Sequence, residues 1–139
     1  MTIDERPALV GDPLHDTAVA GLEELIESTV ALRRQLDAHE AVCRRVLADV
    51  HDQVPMGCAL PAARADTWRS GLTDAIKCFE GTRHRARLAL VAMSIDEGST
   101  IAEIARTWGV SRQLASRWVG ELAAARPGLP GIDTVDLSR

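Results

Sequence analysis

The sequence predicts an all-α protein in which a long N-terminal, coiled-coil-like helix precedes a trihelical domain. Three observations carry that reading. Between residues 16 and 51 there is no proline and a single glycine, Gly21, while apolar residues recur at nearly the helical period. A second run of helical spacing begins near Thr67. Residues 101–120, IAEIARTWGVSRQLASRWVG, then place two short helix-forming stretches on either side of Gly109. A chain of 139 residues has room for one domain and an appendage, not for two domains with independent cores.

Taken in order, residues 1–15 carry proline, glycine and scattered charge without a sustained period and are expected to be a disordered tail. Residues 16–53 form the long amphipathic helix. Leu22, Leu25, Thr29, Leu32, Leu36, His39, Cys43, Val46 and Val50 fall on alternating steps of three and four, the spacing of a coiled-coil seam. The helix is therefore expected to join two copies, with Leu22, Leu25, Leu32, Leu36, Cys43, Val46 and Val50 as its dimer seam. Ile26, Val30, Val42 and Leu47 widen the stripe, which leaves open an intramolecular bundle with the helix that begins near Thr67. His39 interrupts the seam either as a titrating group or, as is commoner, as a core histidine satisfied by a neighbour or water.

Residues 54–66 break the helical period with Pro55, Gly57 and Pro61 and read as a linker or tight turn. Asp66 offers an N-cap. From Thr67 onward Trp68, Leu72, Ala75, Ile76 and Phe79 recur at helical spacing, with Trp68 and Phe79 as core residues. That helix reaches Glu80 and is able to run through Gly81 into RHRARLALVAM.

The domain over residues 67–125 closes on the pair at 101–120. Thr100 and Glu103 have capping-box spacing, and Ser111 is placed to cap the second helix. Ile104, Trp108, Val110 and Trp118 supply apolar pegs across the turn, Ala105 is small where the helices approach, and Gly109 suits a left-handed helix end. The outer face of the second helix is polar, with Ser111, Arg112, Gln113, Ser116 and Arg117 at spacings that put them on one side.

By these residues the segment 83–122 resembles the trihelical helix-turn-helix domains of bacterial transcription regulators, including the DNA-binding region four of sigma factors. The resemblance covers under a third of the chain. It implies that 83–96 supports the pair, 100–108 abuts the phosphate backbone and 111–122 reads bases in the major groove. Arg112, Gln113, Ser116 and Arg117 are then the expected base readers, since arginine pairs with guanine and glutamine with adenine through two parallel hydrogen bonds. Thr100, Ser111, Arg83, Arg85, Arg87 and Arg106 are the expected phosphate contacts. The plain alternative is the solvated face of an ordinary helical hairpin. One position departs from the pattern: Ala115 stands where such domains carry a larger aliphatic residue, leaving Trp118 to fill the space. Residues 126–139 are expected to be a second disordered tail.

Charge is unevenly distributed. The whole chain carries −4, which argues against a nucleic-acid partner. Residues 1–66, however, hold six arginines against twelve carboxylates, whereas residues 82–126 hold seven arginines against four. The positive charge travels with the two-helix pattern. Lys77 is the only lysine, and arginine is as plentiful in the acidic half, so that skew reflects a GC-rich coding genome more than selection for DNA contact.

Enzymatic constellations are not found. Cys43, Cys58 and Cys78 form no CxxC pair, and His15, His39, His51 and His84 form no HExxH pattern. Glu23, Glu24 and Glu27 cluster as a solvated or partner-binding face rather than a catalytic one. No cofactor or metal is expected. Without a basic segment leading into an apolar run, and without a span of membrane length, a cytoplasmic protein is expected. The reading is a homodimeric, sequence-specific reader of double-stranded DNA that regulates transcription. Its alternative is a non-catalytic adaptor that binds a sigma factor, RNA polymerase or another regulator through the acidic helix.

Overall fold

A computed structural model describes residues 11–125, and every regular element among them is a helix. The order is α1 (Pro13–His51), α2 (Met56–Ala62), α3 (Ala65–Asp96), α4 (Ile101–Trp108) and α5 (Arg112–Ala125). The expected all-α class holds, with a first helix of 39 residues. The tails expected at 1–15 and 126–139 lie outside the described residues, apart from 11–15.

There the expectation is corrected. Helix α1 starts at Pro13, because proline at the first helical position gives up only an N–H that has no intrahelical acceptor. The Asp12 carboxylate accepts from the Leu14 N–H at 3.0 Å and caps the start. The linker at 54–66 is likewise more ordered than its composition suggests. It holds α2, with Pro61 inside, between two residues of positive φ, Gln53 at 56° and Arg64 at 55°. Helix α3 begins one residue before Asp66, with the Trp68 N–H donating to the Arg64 carbonyl at 3.0 Å. Asp66 therefore sits in the first turn, where a carboxylate favours the helix dipole, and not at the cap. Because α3 runs unbroken through Gly81 to Asp96, the support expected to start at Arg83 is the second half of a longer helix.

The described residues divide into two compact units, one formed by Ala20–Arg85 and the other by 11–19 together with 86–125. In the first, α1 and α3 run antiparallel, as four contacts in inverse order establish. Glu24 pairs with Arg85 at 3.4 Å, the Ser28 and Thr82 hydroxyls bond to each other, Gln35 crosses Gly71, and the Trp68 indole N–H donates to His39 Nδ1. A Cβ on Gly71 would lie 3.1 Å from Gln35 Oε1, so the Gln35 amide rests over the glycine. Ser28 and Thr82 are buried, and each hydroxyl also reaches a carbonyl of its own helix, so the pair is satisfied. Along the expected seam, Leu25, Leu32, His39 and Val46 are half-buried, whereas Leu22, Leu36, Cys43 and Val50 remain exposed. The heptad stripe is divided lengthwise, and the row containing His39 faces α3.

In the second unit the core is Val91 of α3, Ile104 and Ala105 of α4, and Ala115, Trp118 and Val119 of α5. Leu88, Ile95, Ile101, Val110, Leu114 and Leu122 pack around it, half-buried. Two helix ends in this unit close with a left-handed glycine. At Gly98 (φ 95°) the Ser99 N–H returns to Ser94, and at Gly109 (φ 64°) the Val110 N–H returns to Ala105, each satisfying a carbonyl of the last turn.

Alanine at the two glycines bounding α5's core should act with opposite signs. A Cβ at either Gly109 or Gly120 meets nothing within 4 Å, so only the backbone decides. Gly109→Ala should cost about 1–2 kcal/mol for a left-handed residue. Gly120→Ala, inside α5, should gain up to about 1 kcal/mol. Urea denaturation of both variants checks the pair, and equal signs would refute the argument.

Candidate nucleic-acid interface

The surface of interest is the outward side of α5. Its start is fixed by Ser111, whose Oγ accepts from the Leu114 N–H at 3.1 Å while its carbonyl accepts from the Ala115 N–H at 3.1 Å. Ala115, Trp118 and Val119 anchor the inner side, at 0%, 4% and 8% exposure. A helical period then forces Arg112, Gln113, Ser116 and Arg117 outward, and all four are exposed. Among the described residues no hydrogen bond or ion pair engages any of the four. The row is accordingly held in place by packing beneath it and left free at its polar ends.

Trp118 also explains the departure at Ala115. With a methyl group at 115, the indole lies fully in the core, as the sequence requires. Trp108, expected as a peg, is instead 36% exposed. It meets Trp118 edge to face, with ring centroids 5.9 Å apart, and so shields one side of the core indole rather than entering the core. The Arg87 guanidinium lies over the Trp118 ring, 4.8 Å from its centroid, a cation–π contact.

The turn before α5 is positioned by α4. The Thr100 hydroxyl accepts from the Glu103 N–H at 3.2 Å and lies 3.0 Å from Glu103 Oε2, while the Thr100 N–H donates to that same oxygen at 2.7 Å. This reciprocal capping box is the one its spacing predicts. It occupies both capacities of the Thr100 hydroxyl, which is therefore spent on the helix end. The backbone bond from Thr100, then its side chain, then the charge of Arg106, hold the Glu103 carboxyl below its ordinary pKa.

The expected phosphate contacts separate. Arg87, Thr100, Arg106 and Ser111 share a unit with the α5 row. Arg83 and Arg85 belong to the other unit and are engaged there, Arg83 with Glu80 at 2.7 Å and across the Phe79 ring, Arg85 with Glu24. The Arg87–Trp118 stack joins residues far apart in sequence and has no local signature. The same holds for Trp68 on His39, where the expectation was a neighbour or water and the structure supplies the indole N–H.

Among the described residues no three His, Cys, Asp or Glu side chains gather as a metal site, and no helix is long and apolar enough to cross a membrane. Comparison of the chain with protein-family models, with curated proteins and with solved structures returns no match.

The capping box carries a pH signature. Because the folded pKa of Glu103 is depressed, its contribution to α4 is complete above the unfolded carboxyl pKa and is lost as pH falls through the folded value. In an NMR titration, Glu103 should titrate below the ordinary carboxyl value, and Thr100→Ala, which removes the hydroxyl and keeps the backbone N–H, should raise it part of the way back. An unchanged Glu103 titration in Thr100→Ala would exclude the hydroxyl's share of the shift, since alanine keeps the backbone bond from residue 100.

Proposed function

We propose that this protein is a sequence-specific, double-stranded DNA-binding regulator of transcription that acts as a pair of chains, with α5 as its reading helix and the α4–α5 pair as a helix-turn-helix. The observation that carries the reading is the exposed, unengaged row Arg112, Gln113, Ser116 and Arg117 above a buried tryptophan core. Its chemistry is that of base edges: two planar guanidinium forks, an amide able to donate and accept, and a short hydroxyl that lets the helix come close. No large apolar side chain lies among these four, so the row lacks the anchor that marks most protein interfaces.

Phosphate contacts fit the same surface. Arg87 lies over the Trp118 ring and keeps its edge donors for an anion, while Arg106 and the amino end of α5 add positive potential. Two chains would place their reading helices in successive major grooves, and their half-sites would mirror each other about one helical turn apart, roughly 34–36 Å. The acidic first part of the chain stays off the DNA in this reading and serves association between chains.

Purified protein should retain a palindromic motif from a genomic fragment library at near-physiological salt. Arg112→Ala with Arg117→Ala should abolish the sequence preference, at about 1–3 kcal/mol for each lost bidentate contact. Arg87→Ala should weaken binding to all sequences alike and reduce the salt slope by about one. Retention of nothing above background would overturn the reading and favour an adaptor that binds sigma factor or RNA polymerase through the acidic helix.

A further inference from the structure

We infer that the exposed side of α1 is the contact between two copies of the chain and that the two helices meet antiparallel. The inference rests on the two-chain part of the functional reading and adds the surface and the direction. Leu22, Ile26, Leu36, Cys43, Leu47 and Val50 are all exposed, with Ile26 at 63% and Leu47 at 57%. In the heptad frame they occupy two adjacent positions and form two apolar patches, Leu22 with Ile26 and Cys43 with Leu47 and Val50, joined at the centre by Leu36 between Arg33 and Glu40, beside the row that His39 and its neighbours present to α3. A helix with one apolar side already covered by α3 still presents a second.

Charge selects the occupant and its direction. From residue 17 to residue 32, α1 carries Glu23, Glu24 and Glu27 and no basic residue. From 33 to 45 it carries Arg33, Arg34, Arg44 and Arg45 against Asp37 and Glu40. A parallel copy in register would stack acid on acid, and would put Arg33 against its own copy within the stripe. An antiparallel copy aligned with Leu22 beside Leu47 also sets Ile26 beside Cys43 and brings Glu23 toward Arg44. At the centre Arg33 crosses Leu36, where its methylene stem covers the leucine and its head reaches toward Glu40. Glu40 and Arg44 already pair with each other along α1, so the second copy's Glu23 and Arg33 would extend that pair into a network across the two helices. The stripe is thus complementary to itself in one direction only.

The test uses the full chain with Cys58→Ser and Cys78→Ser, two exposed positions, so that Cys43 is the only native thiol. Sedimentation equilibrium at micromolar concentration should give twice the chain mass. Ile26→Glu with Leu47→Glu should halve that mass while helicity by circular dichroism stays unchanged, because neither side chain is buried in the single chain. Adding Ile26→Cys to the parent should produce an intermolecular disulfide with Cys43 on treatment with diamide, and the parent alone should not cross-link. A monomeric parent, or a dimer that survives both glutamates, would overturn the proposed surface. Cross-linking of the parent through Cys43 would overturn the direction, since that bond needs parallel helices. DNA retention by a monomer would separate the failure of pairing from the failure of DNA reading.

Discussion

The described residues are almost entirely helical and must find partners for the carbonyl groups at each helix end, and this requirement sets the changes of direction among them. Four helix ends are closed by a residue in the left-handed region: Gln53, Arg64, Gly98 and Gly109. At three of them the following N–H reaches back five residues, Val54 to Asp49, Ser99 to Ser94 and Val110 to Ala105. Such a closure leaves the chain little choice of exit direction. The angle between α4 and α5 follows from the closure at Gly109, and with it the side of α5 that faces Ile104 and Ala105. Once that side is occupied by Ala115, Trp118 and Val119, the polar row has one place to go.

The same physics explains which features were legible in the sequence. Caps and turns depend on residues within a few positions of one another, and Thr100, Glu103, Gly109 and Ser111 all take the roles their spacing indicates. The periodic stripes are legible for the same reason, as is the all-helical class. Tertiary choices are not local. Nothing near Arg85 announces Glu24, and nothing near Arg87 announces Trp118. The seam on α1 was readable as a stripe, but its division into a row facing α3 and a row left exposed depends on where α3 returns. That return passes through a short helix in a segment whose two prolines and glycine suggested a linker or tight turn.

The two sides of α5 differ in what they ask of a side chain. On the inner side, volume matters most, and Ala115 beneath a tryptophan is a matched pair that a larger residue at 115 would disturb. On the outer side, hydrogen-bonding capacity matters and volume little. Arg87 belongs to both regimes, since its stack on Trp118 is a packing contact and its edge remains polar. Lysine there would keep the charge but lose the flat face.

The helix ends are not equivalent in cost. Glycine takes the left-handed conformation freely, whereas Gln53 and Arg64 each carry a side chain there, at about 1–2 kcal/mol apiece. Both lie on the short path that carries the chain from α1 through α2 into α3. On warming, that corner is where the backbone has most to gain by letting go, while the glycine-closed turns at 98 and 109 hold no such tension. The hairpin corner thus becomes the natural starting point for opening, and a protease that samples transiently released chain would be expected to cut there before it reached the tryptophan core.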